Sequence, residues 1–195
     1  MICLDEMGPE SAKSFPGQQL VRQDPDPATG TVERATQEID YGRRGKGSVF
    51  GAFQPATGAA FTHAYGGRTI ANWVAFLEGV EAWLPPEAER VYAILDNLNT
   101  HRATDVLLFL LAHPRWECVF QPTYAAYLNL IEPWWKTLRS LALKGRRFES
   151  WDQIVAAVTD ATAYWNAHRH PYVWGRRRRH KPRRQAGVAQ LPSVA

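Results

Sequence analysis

The stretch Val91-Tyr-Ala-Ile-Leu-Asp-Asn-Leu-Asn-Thr-His101 decides the fold of this chain. Its first half is apolar and rich in β-branched and aromatic residues, and it stops at Asp96-Asn97, where a polar turn and then an apolar helical segment follow. This pattern predicts a buried strand that ends on a carboxylate and leads into a helix. In α/β proteins ligands bind at the carboxyl edge of the sheet, so Asp96 is a candidate site residue.

The segments on either side of this stretch predict a mixed sheet flanked by helices. Residues 48–65 contain two strand-like runs around a turn with Pro early and Gly late, which predicts a hairpin. Residues 2–5 and 116–121 predict further short strands, and residues 7–37, rich in Pro, Gly, Asp and Gln, predict a long loop. Apolar residues recur at helical spacing in four segments: 69–84, 102–112, 129–144 and 150–168. The resulting order is that of the ribonuclease H-like fold, an α/β fold with a mixed five-stranded sheet flanked by helices.

Two further acids lie at positions comparable to that of Asp96. Asp5 ends the first apolar run, and Glu132 lies at the start of a predicted helix in Leu128-Asn-Leu-Ile-Glu-Pro-Trp-Trp135. The predicted topology brings all three acids to one edge of the sheet. Carboxylates are suitable ligands for Mg²⁺ or Mn²⁺, and two such ions roughly 3.5–4 Å apart promote phosphodiester chemistry. The sequence therefore predicts a metal-dependent site that cuts or joins nucleic acid strands.

Each acid also has a structural explanation. Asp5 and Asp96 could cap the turns that follow them. Glu132 falls at the third helical position of a capping box in which Asn129 is the N-cap, and it could also form a surface ion pair with Lys136. Taken singly each acid is explained by structure, but the three together favour a catalytic cluster.

Composition and charge restrict the class of protein. The chain has 195 residues, with 45% hydrophobic and 22% charged residues, which is ordinary for one globular domain. It has no apolar run long enough to span a bilayer and no signal peptide, so we expect a cytoplasmic protein without a membrane partner. The two cysteines, Cys3 and Cys118, lie in strand-like segments and are expected to be buried free thiols.

Basic residues are concentrated in two segments of the chain, 41–47 and 175–184. Residues 175–184 carry seven of the 23 lysines and arginines and no acid, which predicts a polyanion-binding arm that is disordered alone, or else a solvated tail. A basic, glycine-rich turn is predicted at 41–47. The candidate nucleic-acid contacts are Arg43, Arg44, Lys46, Lys136, Arg139, Arg176, Arg177, Arg178 and Arg179.

Two motifs resemble the DDE transposases of bacterial insertion sequences related to mariner elements (630-type insertion sequences). The motifs are Leu95-Asp-Asn-Leu-Asn-Thr-His101 and Gln121-Pro-Thr-Tyr-Ala-Ala-Tyr-Leu-Asn-Leu-Ile-Glu-Pro-Trp-Trp135. Thirty-five residues separate Asp96 from Glu132, close to the separation that this group uses. A further motif at the start of the chain, an apolar run that ends in Asp5-Glu6, resembles the group more weakly.

The resemblance implies a catalytic triad of Asp5, Asp96 and Glu132 that binds two Mg²⁺ or Mn²⁺ ions. Asn97 and His101 match the motif too, and are implied to orient Asp96 or to contact DNA. The implied reaction is hydrolysis at transposon ends followed by attack of the freed 3′-hydroxyl on target DNA. The implied assembly is a homodimer on DNA in the bacterial cytoplasm, associated with the nucleoid when bound.

The sequence departs from the group in two respects, one of which is Ala125-Ala126 where the group often has Ser-Pro. The other concerns the N-terminal region. Members carry an N-terminal helix-turn-helix region, and here nothing precedes the strand of Asp5, so we expect residues 1–174 to form the catalytic domain alone and residues 175–195 a basic tail. Two alternatives stay open: a stand-alone ribonuclease H-like endonuclease, and a non-catalytic DNA-binding remnant of a decayed element. A truncated chain could also be inactive by itself.

Overall fold

Residues 1–15, 28–29, 44–122 and 126–172 are described by the computed structural model. They form seven strands: β1 (Ile2–Ser11), β2 (Ser14–Phe15), β3 (Lys46–Gln54), β4 (Ala59–Tyr65), β5 (Val91–Leu95), β6 (Trp116–Phe120) and β7 (Arg146–Arg147). They also form four α-helices: α1 (Ile70–Trp83), α2 (Thr104–Ala112), α3 (Ile131–Ala142) and α4 (Trp151–Ala167). Short 3₁₀ turns at Asn99–Arg102 and Ala126–Leu128 precede α2 and α3.

Five strands form one mixed sheet in the order β4-β3-β1-β5-β6. The first three are antiparallel neighbours, whereas β1 pairs with β5, and β5 with β6, in parallel. The architecture confirms the predicted α/β fold with a mixed five-stranded sheet. The parallel register pairs Cys3 with Ile94. Continuing that register by two residues places Asp5 level with Asp96, so the carboxyl end of β5 lies beside the middle of β1.

Helices cover both faces of this sheet. Successive residues of a strand point to opposite faces, so each strand contributes to the core on both sides. In β1, Cys3 packs in the core cluster formed with α3 and α4, and Leu4 packs in the cluster formed with α1 and α2. Trp134 and Trp135 of α3 are both buried in the first of these clusters. Both cysteines are free thiols, as predicted, although Cys118 is only partly buried.

Side-chain caps set two helix starts where the sequence predicted them. The Thr69 hydroxyl accepts a hydrogen bond from the Asn72 backbone N–H at 3.1 Å and begins α1. The Ser150 hydroxyl accepts from the Gln153 backbone N–H at 3.4 Å and begins α4. Among the residues that the structure describes, no helix combines the length and apolar character that crossing a membrane requires.

The first strand is longer than the sequence predicted. Asp5 does not end it, because β1 continues to Ser11, and the predicted loop from residue 7 is wrong for this part. Met7 is buried and pairs with Val49 of β3, and the register shifts between Met7 and Glu10. Gly8, which looks like a turn residue in the sequence, takes up this irregularity with a φ of 126°.

Two further predictions need correction beside β1. Lys46 and Gly47, expected in a glycine-rich turn, are the first residues of β3. Within the expected loop, Phe15 of β2 pairs with Arg146 of β7 in a separate two-stranded sheet. These strands have two residues each, which is too short to leave a period in the sequence.

Candidate active site

Asp5 lies in the central strand of the sheet, and its carboxylate is held by a tryptophan of α3. Trp135 Nε1 donates a hydrogen bond to Asp5 Oδ2 at 3.1 Å. Burial is the main cause that raises the pKa of Asp5 to about 6; hydrogen bonds from the Glu6 backbone and Trp135 lower it, and the negative charges of Glu132 and Glu6 raise it. Asp5 and Glu132 are therefore electrostatic neighbours, as the triad prediction requires.

A glycine makes the contact between Trp135 and Asp5 possible. Gly51 of β3 is the cross-strand partner of Asp5. A Cβ atom at Gly51 would meet the Trp135 ring at well under 3.0 Å, so only glycine lets the indole lie over this point of the sheet. A glycine inside a strand is a signal for such a close approach, but the sequence does not name the approaching residue.

Glu132 lies in the first turn of α3, and the capping-box explanation for it is wrong. The Asn129 side chain does not cap the helix in the predicted way: its Nδ2 donates to the Leu4 carbonyl at 2.9 Å, and its Oδ1 accepts from the Ile131 N–H at 3.4 Å. The structure places Leu130 at the cap position, without a side-chain cap hydrogen bond. Asn129 thus ties the start of α3 to the residue before Asp5.

The Glu132 carboxylate forms no hydrogen bond or ion pair with the described residues around it. Within the described part of the chain it accepts no side-chain hydrogen bond, and the ion pair with Lys136 that the sequence allowed is not formed. Its only assigned contact in the helix start is through the backbone, where the Glu132 N–H donates to the Asn129 carbonyl at 3.1 Å. Neither structural explanation accounts for this acid.

Asp96 follows the last residue of β5 and does cap a turn, as its structural explanation predicted. Its Oδ1 accepts a hydrogen bond from the Leu98 N–H at 3.0 Å and lies 2.9 Å from His101 Nδ1. The side chain is 38% exposed. Among the described residues, Oδ2 has no hydrogen-bond partner, so one carboxylate oxygen is fixed and the other is available.

His101 and Glu6 form a buried pair behind Asp96. His101 Nε2 lies 3.1 Å from Glu6 Oε1, and both side chains are almost inaccessible to solvent. The ring of Trp73 lies against the His101 ring with centroids 4.2 Å apart. Burial lowers the pKa of His101, but the hydrogen bond to Glu6 and the negative charges of Glu6 and Asp96 outweigh it, so that the pKa is raised.

The sequence predicted His101 as a supporting residue but missed Glu6. Consecutive residues of a strand point to opposite faces, so Asp5 and Glu6 serve different sides of the sheet. The adjacent acids Asp5 and Glu6 can be seen in the sequence. The partner of Glu6, 95 residues away in the chain, cannot be recognised from it.

Asn97, the other predicted supporting residue, fastens the end of β5. Its Nδ2 donates a hydrogen bond to the Gln121 carbonyl, and its Oδ1 accepts one from Arg102. The Arg102 guanidinium also lies over the Phe120 ring, 4.7 Å from the centroid. Asn97 thus joins the turn after β5 to the end of β6.

The predicted nucleic-acid contacts differ in how their charges are used. The guanidinium groups of Arg44 and Arg139 pair with Glu149 at 2.7 Å and Glu10 at 2.9 Å. Lys46 and Lys136 are exposed. The remaining candidates, Arg43, Arg176, Arg177, Arg178 and Arg179, and the predicted tail 175–195 lie outside the described residues.

The carboxylates fit a hard divalent cation by their chemistry. Repulsion from Glu132 helps to raise the pKa of Asp5, and within the described ranges no lysine or arginine forms an ion pair with Asp5, Asp96 or Glu132. Oxygen ligands of this kind bind Mg²⁺ and Mn²⁺. The same residues contain no group of three or more His, Cys, Asp or Glu side chains arranged to hold a metal ion, so the three-ligand site stays a prediction.

Comparisons with known proteins place this geometry in context. A family model described as DDE superfamily endonuclease matches residues 1–155. The "Insertion element IS630 uncharacterized 39 kDa protein" of Shigella sonnei is 22% identical over 120 residues, which is 62% of this chain and 35% of that protein.

Two solved structures share the fold. The Mos1 transposase paired-end complex with left transposon end has a TM-score of 0.64 and 19% identity, covering 88% of this chain and 48% of that one. The Mos1 mariner paired end complex with Mn has a TM-score of 0.62 and 19% identity, covering 88% of this chain and 49% of that one. These likenesses confirm the ribonuclease H-like fold. The chain spans about a third of the insertion-element protein and about half of each Mos1 chain.

Proposed function

The chain belongs to the DDE superfamily endonuclease family, and from that premise we propose that it is the catalytic domain of a DNA transposase that cleaves and joins strands at the ends of an insertion sequence. The proposed triad is Asp5, Asp96 and Glu132. The insertion-element protein and the Mos1 transposase, to which the chain is similar, support this choice among endonucleases.

One observation carries the proposal. Asp5 lies in the central strand and Glu132 in the first turn of α3; burial and the Glu132 charge raise the pKa of Asp5 to about 6, and no basic side chain of the described residues forms an ion pair with either acid. Acids arranged in this way destabilise the folded protein unless something positive neutralises them. A divalent cation is the ligand that this environment favours.

In the proposed site, Asp5, Asp96 and Glu132 hold two Mg²⁺ or Mn²⁺ ions. When bound, these ions supply activation of the attacking water or 3′-hydroxyl and stabilisation of the charge that develops on the phosphate. Trp135 fixes Asp5 Oδ2, and the Leu98 N–H fixes Asp96 Oδ1. Glu132, without a side-chain hydrogen bond in the described residues, has no partner to lose when it turns towards a cation.

The proposed partner is DNA. The Mos1 structures are described as paired-end complexes, one of them with Mn, and by analogy we place this chain on DNA as a homodimer with divalent metal. The exposed Lys136, one helical turn after Glu132, would approach a phosphate of the bound strand. The proposed location is the bacterial cytoplasm, at the nucleoid when DNA is bound.

The test is nicking of supercoiled plasmid in Mg²⁺ or Mn²⁺ by the wild type and by Asp96→Asn. We expect metal-dependent nicking by the wild type and its loss in the variant. A folded wild type that does not nick overturns the proposal for this chain, and equal nicking by both proteins places the activity elsewhere. Strand transfer with DNA that carries the element's ends is the second measurement. Nicking without transfer would favour a stand-alone endonuclease instead.

A further inference from the structure

We infer that Glu6 and His101 form a buried positioning pair for Asp96: Glu6 holds the His101 ring, and the ring holds one Asp96 oxygen so that the other stays available to a divalent cation. The inference rests on the proposed function, since it concerns the same site. Its new member is Glu6, to which the motif that ends in Asp5-Glu6 gives no role.

The contacts form one continuous chain. Glu6 Oε1 lies 3.1 Å from His101 Nε2, and His101 Nδ1 lies 2.9 Å from Asp96 Oδ1. The exposed fraction of the side chain is 2% for Glu6, 0% for His101 and 38% for Asp96. Trp73 packs against the ring with centroids 4.2 Å apart and limits its rotation. The chain of contacts therefore runs from the interior to the surface and ends at Asp96.

Asp96 needs such a support more than Asp5 does. Asp5 lies within β1, where pairing with β3 fixes its backbone on one side. Asp96 comes after the last paired residue of β5, so the sheet does not fix its direction. The contacts that hold its side chain are the Leu98 N–H and the His101 ring. Because Glu6 is in the same central strand as Asp5, it relates the position of Asp96 to that of Asp5.

The hydrogen-bond pattern explains why an acid stands at position 6. The Asp96 carbonyl oxygen lies 3.4 Å from His101 Nδ1 as a hydrogen-bond acceptor, and Asp96 Oδ1 lies 2.9 Å from the same nitrogen as an ion-pair contact. His101 Nδ1 therefore carries a proton on the side of Asp96. One proton then lies between His101 Nε2 and Glu6 Oε1, whichever of the two groups holds it. This arrangement fixes the ring against a flip, which would exchange the two nitrogens.

The position also carries a cost that a purely structural role would not need. Glu6 Oε2 is buried and has no hydrogen-bond partner in the described residues. An apolar residue at this buried position would leave no polar atom unpaired. A local departure from good packing beside a candidate site indicates a functional constraint.

The test compares Glu6→Leu and Glu6→Gln with a matched control in the full chain. Leucine removes the acceptor for His101, and glutamine keeps one. The control is Glu10→Leu, because Glu10 lies in the same strand, has a side chain that is only 11% exposed and contacts Arg139 in place of His101. Binding of Mn²⁺ is measured by electron paramagnetic resonance, which needs neither DNA nor turnover.

We expect Glu6→Leu to raise the Mn²⁺ dissociation constant about 10-fold or more, the range found when residues that support metal ligands are removed. Glu6→Gln should stay within about 3-fold of the wild type, since its acceptor rescues the ring, and Glu10→Leu should match the wild type. Wild-type affinity in a folded Glu6→Leu protein overturns the inference. If Glu6→Leu does not fold, two substitutions of His101 take its place in the test. His101→Asn keeps a hydrogen-bond donor near Asp96, whereas the longer side chain of His101→Gln does not, so His101→Asn must bind Mn²⁺ more tightly. Equal affinities of these two variants overturn the inference.

A second readout separates this inference from the proposed function. The ¹⁵N chemical shifts of His101 Nδ1 and Nε2, assigned by loss of the signals in His101→Asn, report the two contacts without metal. Glu6→Leu should move the Nε2 signal, and Asp96→Asn the Nδ1 signal. If the wild type binds no Mn²⁺ and both signals respond, the contacts are present but the metal site is refuted. The positioning role is then refuted as well. Binding and nicking by the wild type with unresponsive signals refute the positioning pair alone.

Discussion

Trp135 Nε1 donates a hydrogen bond to Asp5 Oδ2 at 3.1 Å, and this contact joins the helix that carries Glu132 to the strand that carries Asp5. Asn129 makes a second link between the same elements, because its side chain donates to the Leu4 carbonyl at 2.9 Å. Both links depend on side chains buried in the core. The distance between the two acids is therefore set by core packing, and mutations in the core should affect the site.

Replacing Asp5 by Asn should stabilise the metal-free protein at neutral pH. The pKa of Asp5 rises from 3.8 to about 6 on folding, so the folded state binds more protons between these values and the free energy of unfolding falls as pH rises through this window. Above it, ionised Asp5 costs on the order of 2–3 kcal/mol, from about 1.4 kcal/mol per pKa unit. Urea unfolding in EDTA should show Asp5→Asn more stable at pH 7.5 and nearly equal to the wild type at pH 4.

The control for this experiment is Asp160→Asn, because Asp160 is exposed on α4. It should follow the wild type at both pH values. If Asp5→Asn also followed the wild type, burial would not be raising the pKa of Asp5. In a separate measurement, addition of Mg²⁺ should stabilise the wild type more than Asp5→Asn. The cation relieves the repulsion between the Asp5 and Glu132 carboxylates, which only the wild type has.

Replacing Glu132 by Gln should abolish nicking and leave folding intact. The Glu132 carboxylate has no side-chain hydrogen bond among the described residues, so we expect the melting temperature to stay close to that of the wild type. Loss of a metal ligand should reduce nicking at least 100-fold, beyond the 10- to 100-fold effect of residues that only support ligands. The matched control is Glu87→Gln, in an exposed loop. Retained nicking in Glu132→Gln would remove this acid from the triad.

Local patterns in the sequence were sufficient to predict most of the sheet. The run from Val91 to Leu95 is apolar and ends on a polar turn, and it forms β5 as predicted. The first strand was misjudged because Gly8-Pro9 looks like a turn, whereas pairing with β3, about 40 residues later in the chain, extends β1 to Ser11. Strand length was decided by a partner that the local sequence does not reveal.

The site shows the same division between local and distant information. Motif spacing predicts Asp96 and Glu132 as site residues, and the family match over residues 1–155 confirms the resemblance that their motifs carry. The capping box was a correct local pattern with the wrong outcome, because the Asn129 amide donates to Leu4, 125 residues away, and its oxygen accepts from Ile131 and not from Glu132. Glu6 could not have been assigned from sequence, since its role depends on the His101 ring that folding brings to it.

Replacing Gly51 by Ala should damage the site through the core. The added methyl group would meet the Trp135 ring at well under 3.0 Å and push the indole away from Asp5. We expect a loss of about 1–3 kcal/mol in the free energy of unfolding, the usual range for overpacking, together with weaker nicking at saturating metal. Gly67→Ala is the control, because a methyl group there meets nothing within 4 Å. Equal stability of the two variants would show that Trp135 can move aside without cost.

Lys136 should contribute more to DNA binding than Arg139, although both follow Glu132 along α3. Arg139 Nη2 lies 2.9 Å from Glu10 Oε1, which neutralises much of its charge, whereas Lys136 is exposed and forms no ion pair among the described residues. Fluorescence anisotropy between 50 and 200 mM salt should show that Lys136→Ala lowers the salt slope by about 1, and Arg139→Ala by less. Arg90→Ala, just before β5 and so at the opposite end of that strand from Asp96, should leave the slope unchanged. Equal slopes for Lys136→Ala and Arg90→Ala would mean that DNA does not pass along α3, and the proposed strand path beside Glu132 would be wrong.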